Sequence, residues 1–170
     1  MKKETQGIRQ KELIRLVAEL YKLDPNVQQY LSVKFLGEET IHDLYESTKK
    51  EIEDEFFPNK GFGKMRLAKA KTAITNFKKL TNDHLRTVDL MLTYVEVGTE
   101  FTNTYGDIDE KFYSSMYSMY DKVVTECEKD EELFKEFGDR LYSVVIESDG
   151  IGWGYHDGLA DLYYSISWVE

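Results

Sequence analysis

The apolar side chains of this sequence recur every three or four residues, with hardly a break, from Leu13 to Val169. That spacing matches the 3.6-residue turn of an α-helix and not the two-residue alternation of a strand. Pro25 and Pro58 are the only prolines in 170 residues, so the commonest helix breaker is almost absent and long helices are favoured. The expectation is an all-α chain of about eight helices.

The punctuation supports that number. Leu13, Leu16, Val17 and Leu20 mark a first helix ending near Leu23. Asp24 followed by Pro25 reads as an N-cap with proline at the first helical position of a second, which Gly37 closes. A third runs from about Ile41 to Phe56 and stops at Pro58. After the loop 58–63 a fourth is predicted over 64–80, carrying Leu67, Ala70, Ile74 and Phe77 inward. The fifth, capped by Thr81, Asn82 or Asp83 and reaching about Tyr105, is apolar almost all round. That pattern belongs to a central, buried helix. A sixth starts at Asp107 or Asp109, a seventh covers about 130–147, and an eighth follows the glycine-rich turn 150–154 and carries Tyr155, Leu159, Leu162, Ile166 and Val169.

Short connections make the helices antiparallel neighbours, either in an irregular bundle or in a short superhelix of stacked helix pairs. No internal repeat and no long linker divides the chain, so a single helical domain over 1–170 is expected.

Charge is distributed unevenly. The formal net charge is −10, yet the segment 58–80 has seven basic residues and no acidic one. An acidic surface repels nucleic acid over most of its area, so nucleic acid is an unlikely partner outside that strip. One cysteine, Cys127, leaves no internal disulfide and fits a reducing compartment. No apolar run approaches the roughly 20 residues that span a bilayer, and Lys2 and Lys3 precede no signal-type apolar stretch. A cytoplasmic protein is expected.

Four stretches carry a family likeness. They are Phe56-Phe57-Pro58, Arg66-Leu67-Ala68-Lys69-Ala70-Lys71, the run from Glu100-Phe101-Thr102-Asn103 through Gly106-Asp107-Ile108-Asp109, and Ile151-Gly152-Trp153-Gly154-Tyr155-His156-Asp157 through Asp161-Leu162-Tyr163-Tyr164. Together they resemble a family of bacterial helical proteins described as a domain of unknown function. The resemblance implies a helical fold and a bacterial source, and no chemistry.

Three constellations are candidate sites. Asp157 and Asp161 stand one helical turn apart with His156 beside them, a set from which a general acid/base pair could be built, with Trp153 expected at the edge of a shared polar pocket. On the fifth helix Asp89, Thr93, Glu96, Glu100 and Asn103 form a thin polar stripe, either a solvent face or carboxylates lining a cleft. Di-metal bundles pair such rows with two Glu-x-x-His motifs, and only Glu39 to His42 is present here, so no metal site and no cofactor are expected. The third is a candidate anion site at Lys60, Gly61, Gly63, Lys64 and Arg66. Cations gather there around a helix start, where the macrodipole normally disfavours them. Elsewhere the bland account is better. Asp107-Ile108-Asp109-Glu110 suffices as a helix cap, the glycines after Asp149 as an interhelical turn, and Cys127 as an inert core thiol. The Tyr- and Met-rich sixth helix (Tyr113, Met116, Tyr117, Met119, Tyr120) reads first as core, with a partner groove as the alternative.

The functional expectation is a non-enzymatic binding or adaptor module for a protein partner or an anionic small molecule. The alternative is a hydrolase-type enzyme, metal-dependent in one version, using Glu96, Glu100 and the His156/Asp157/Asp161 cluster.

Overall fold

The computed structural model describes residues 9–169, and among these every regular element is helical: α1 (Gln10–Leu23), α2 (Pro25–Leu36), α3 (Glu38–Phe56), α4 (Leu67–Thr81), α5 (His84–Tyr105), α6 (Glu110–Lys129), α7 (Glu131–Glu147) and α8 (Tyr155–Tyr164). Helix accounts for 80% of the structure, far above the ~30–35% of an average globular domain. No helix among the described residues is long and apolar enough to cross a membrane.

Aspartates begin four of the helices in the same way. Each side chain accepts a backbone N–H of the first turn: Asp24 from Asn26, Asp83 from Arg86, Asp109 from Phe112 and Asp130 from Glu132, at 2.8–3.0 Å. These acids satisfy donors that the helix itself cannot reach.

The chain divides into two compact units, residues 1–44 and 45–170. In the first, α1 packs along α2. In the second, α5 packs against α4, α6 and α7, and α8 closes on α6 and α7. The apolar breadth of α5 is used on all these sides: Val88, Leu90, Leu92, Tyr94 and Val95 are fully buried. The predicted stripe of α6 is also core, with Phe112, Met116, Met119, Tyr120, Val123 and Cys127 buried. Burial pushes the Cys127 thiol up to about 11, so the thiolate needed for reactivity is scarce.

Buried phenols would be costly without partners, and each finds one. Tyr94 pairs with Ser115 at 2.9 Å, Tyr155 with Thr99 at 2.9 Å, and Tyr120 donates to the Leu141 carbonyl at 3.0 Å. These bonds tie α5 to α6, α5 to α8 and α6 to α7.

Two boundaries differ from the sequence reading, and one apolar face has no core to meet. Helix α4 begins at Leu67 rather than near Lys64, because the Met65 N–H donates to the Glu55 carbonyl (2.8 Å) and Met65 takes a positive φ of 47°. Helix α8 ends at Tyr164, where the chain turns so that Ser167 reaches Glu128 and the Trp168 indole donates to the Cys127 carbonyl. The apolar stripe of α1 is not inward at all: none of its residues is buried.

Candidate functional site

The basic strip after Pro58 becomes a loop bolted onto the end of α3. Gly63 lies against that helix so closely that a Cβ there would stand 2.1 Å from the Phe56 carbonyl oxygen. Glu55, with a side chain only 3% exposed, receives both ends of the Arg66 guanidinium at 2.7 and 3.0 Å, and the Arg66 backbone N–H. Lys69 bonds both Glu55 and Glu51. The Arg66 hydrogen bonds, opposed by desolvation and helped by Lys69, hold the Glu55 carboxyl below its ordinary range. Two of the strip's cations are thus paired within the chain. Lys60, Gly61 and Lys64 are exposed, and with Arg66 the two lysines flank a groove of about 490 Å³ whose other walls include Glu51 and Asp54.

Asp89 and Glu96 of the α5 polar stripe are likewise drawn into an internal network, while the Thr93 hydroxyl between them is buried without a hydrogen-bond partner among the described residues. Arg140 of α7 forks onto Glu96 at 2.6 and 2.8 Å and also bonds Asp89, which accepts from the Tyr45 hydroxyl as well. Burial opposes the Arg140 charge, but its two carboxylate partners overcome that and raise the guanidinium above its ordinary range. Glu100 is exposed, and Asn103 donates to the Glu147 carbonyl. Among the described residues no three His, Cys, Asp or Glu side chains converge as metal ligands.

His156 turns toward the end of α7. Its Nδ1 lies 3.1 Å from both the Val145 carbonyl and the Ser148 hydroxyl, which itself donates to Val145. A carbonyl can only accept, so Nδ1 carries the proton and the ring caps the helix. Asp157 and Asp161 are both exposed on α8, and neither lines the cleft beside Trp153.

That cleft is built from other residues. Trp153 occupies the left-handed region, φ +63°, in the turn before α8, and its indole is 59% exposed. Its Nε1 donates to Asp107 Oδ2 at 2.9 Å, while the Tyr113 hydroxyl donates to Asp107 Oδ1 at 2.6 Å. One carboxylate therefore orients two rings, which stack at 6.5 Å and 26°. Thr102 Oγ1 lies 2.6 Å from the same tyrosine hydroxyl. Tyr117, one turn on, completes the wall. It lies against α8 where Gly158 leaves room, since a Cβ there would meet the ring at 2.9 Å. Glu110, Ser114, Gly154 and Tyr155 line the rest of a space of about 490 Å³.

The sequence reads Asp107 as part of a cap and puts Trp153 at the edge of a pocket shared with Asp157 and Asp161; Trp153 does border a cleft, but Tyr113 and Tyr117 line it in place of those two acids. The available signals were Tyr113 and Tyr117 four residues apart on α6, and a tryptophan between two glycines. Of the Tyr- and Met-rich stripe on the sixth helix, Tyr117 is exposed on the cleft, whereas Met116, Met119 and Tyr120 are core.

The Tyr113 hydrogen bond first, then that of Trp153, holds the Asp107 carboxyl below its ordinary range against desolvation. A carboxylate with a lowered folded pKa stabilises its clamp above the unfolded value and loses that contribution as pH falls through the folded one. The Trp153 indole N–H resonance is therefore expected to hold its position at neutral pH and to shift only below the ordinary carboxylate range. Asp107→Asn is expected to remove that acid transition.

The clamp also joins two of the stretches that carry the family likeness, 106–109 and 151–157, which are 46 residues apart at the Asp107–Trp153 bond. No curated protein and no solved structure matches the chain. The family of unknown function DUF6155 matches residues 1–163, and the chain belongs to that family.

Proposed function

We propose that this chain is a non-enzymatic, cytoplasmic binding module that takes a basic side chain of a protein partner between Tyr113, Tyr117 and Trp153. The observation that carries this reading is Trp153 itself. A non-glycine residue held at positive φ costs on the order of 1–3 kcal/mol, a strain that persists where surrounding structure imposes it and that clusters at functional sites. Here the strain holds a large apolar ring out in solvent, which burial alone would never favour.

The chemistry of the walls selects the ligand. Aromatic faces attract ammonium and guanidinium groups, by about 0.5–1 kcal/mol when exposed and ~2 kcal/mol when desolvated. Glu110 on the cleft wall and Asp107 behind the rings add negative charge. The long-range field agrees, because residues 45–170 carry the whole net charge of −10, and such a field speeds the approach of a basic segment.

The other expectations gain less support. An anion at the loop 58–66 would have to compete with Glu55 and Glu51 for Arg66 and Lys69. A hydrolase using Glu96 would have to release it from Arg140.

Isothermal titration with a Gly/Arg peptide, its Gly/Lys counterpart and a Gly/Glu control tests the reading. Binding of the basic peptides alone is expected, weakened about five- to thirtyfold in Trp153→Ala, as the loss of a 1–2 kcal/mol ring contact implies. Melting temperature should barely change, since the ring is mostly exposed. Equal binding of the Gly/Glu peptide, or unaltered affinity in Trp153→Ala, would contradict it.

A further inference from the structure

We infer that the N-terminal hairpin α1–α2 is a homodimerisation element, its apolar face covered by the same face of a second copy of this chain. The first observation is a missing core. Among the described residues, ten large apolar side chains up to Leu44 are exposed, against nine in the much longer stretch from Tyr45 on. On α1 the stripe Leu13, Leu16, Val17 and Leu20 follows one helical face, and each of these remains 40–47% exposed. Phe35 and Leu36 at the end of α2 are 72% and 67% exposed. A helix of 14 residues draws its stability mainly from burying such a stripe, and α1 buries none of its residues. Exposed apolar surface on this scale marks an interface.

The second observation says what covers it. Residues 1–44 contain seven basic and seven acidic side chains, so all of the −10 lies in 45–170. Two copies meeting through residues 45–170 would repel one another, whereas two hairpins meet without net repulsion. A two-fold interface pairs one patch with itself, which a neutral patch of mixed sign permits and a strongly charged one opposes. The polar positions of α1 mix Lys11, Arg15 and Lys22 with Glu12 and Glu19. Those glutamates disfavour an anionic lipid surface, which a purely basic amphipathic helix would suit. Two hairpins face to face form a four-helix arrangement, a standard way of burying such stripes.

Sedimentation equilibrium of the full chain from low to high micromolar concentration tests this. A dimer is expected for the wild type, and Leu16→Glu/Leu20→Glu is expected to raise its dissociation constant about 100-fold or more, the loss of two central apolar contacts. Both tryptophans lie in 45–170, so an unchanged near-ultraviolet tryptophan signal shows that the variant remains folded there. A second measurement uses the wild type alone. Equal amounts of ¹⁴N- and ¹⁵N-labelled chains treated with an amine cross-linker are expected to give mixed-isotope links between Lys11 and Lys22 peptides. A wild type that stays monomeric at 100 µM, whether its face closes on its own chain or awaits a different partner, overturns the inference. So does a dimer that the double variant leaves intact, or one that yields no mixed-isotope links in α1.

Discussion

Gly63→Ala is expected to destabilise the protein by more than about 4 kcal/mol, a loss seen only where a substitution breaks a specific packing constraint. The added Cβ would stand 2.1 Å from the Phe56 carbonyl oxygen and 2.7 Å from that of Glu55. Both are backbone atoms at the buried end of α3, where Glu55 and Phe56 are packed in, and cannot swing aside as a side chain tip would. The loop 57–66 must lift, and with it go the Met65–Glu55 backbone bond and the Arg66 fork on Glu55. Urea unfolding should show a lower midpoint with little change in slope. Gly61→Ala is the control. Its φ of +79° is unfavourable for alanine, but nothing lies within 4 Å of a Cβ there. About 1 kcal/mol of left-handed strain is then the whole expected cost.

Arg66→Ala is expected to cost more than the roughly 1–2 kcal/mol of Glu55→Gln, although the two residues form one pair. Glu55 is the buried partner, and Arg66 is half exposed. Removing Arg66 leaves the buried carboxylate with only Lys69 at 3.3 Å as its cation, and a buried charge that loses its main partner is the more expensive outcome. Removing the Glu55 charge leaves a guanidinium that water can solvate, so the loss is that of hydrogen bonds to a charged group. The pH dependence separates the two. The Glu55 carboxyl is held low when folded, so its contribution to stability is present above the ordinary carboxylate range and is lost as pH falls through the folded value. Glu55→Gln is expected to flatten the acid side of the stability profile. Equal costs for the two substitutions would contradict the account of the loop.

What could be read from the chain itself was local. Asp24 before Pro25, Asp83 before α5 and Asp109 before α6 could be recognised as caps because the bond each makes lies two or three residues away. The core faces of α5 and α6 followed from spacing alone. The site chemistry was hidden where the partner is distant in sequence. Nothing near Glu96 announces Arg140, 44 residues on, so the α5 stripe looked like a solvent face or a ligand row instead of half of an ion-pair network. Asp107 serves neighbours six and 46 residues away, and the near one alone looks like ordinary helix-start chemistry. Lys64 to Arg66 continued a helical pattern, and only the pull of Glu55 on Met65 and Arg66 makes them a loop. The exposure of the α1 stripe was illegible for a different reason: periodicity shows that a face is apolar, not what covers it.

The central claim is that the Asp107-clamped rings receive a basic side chain. Its most direct test is ¹H–¹⁵N NMR of the tryptophan indoles during titration with the Gly/Arg peptide at low salt. The Trp153 N–H, which points into the Asp107 bond beside the cleft, is expected to shift in a saturable manner. The Trp168 N–H, bonded to the Cys127 carbonyl, should stay in place. A Trp153 signal that does not move at millimolar peptide, or that moves no more than Trp168, would contradict the account.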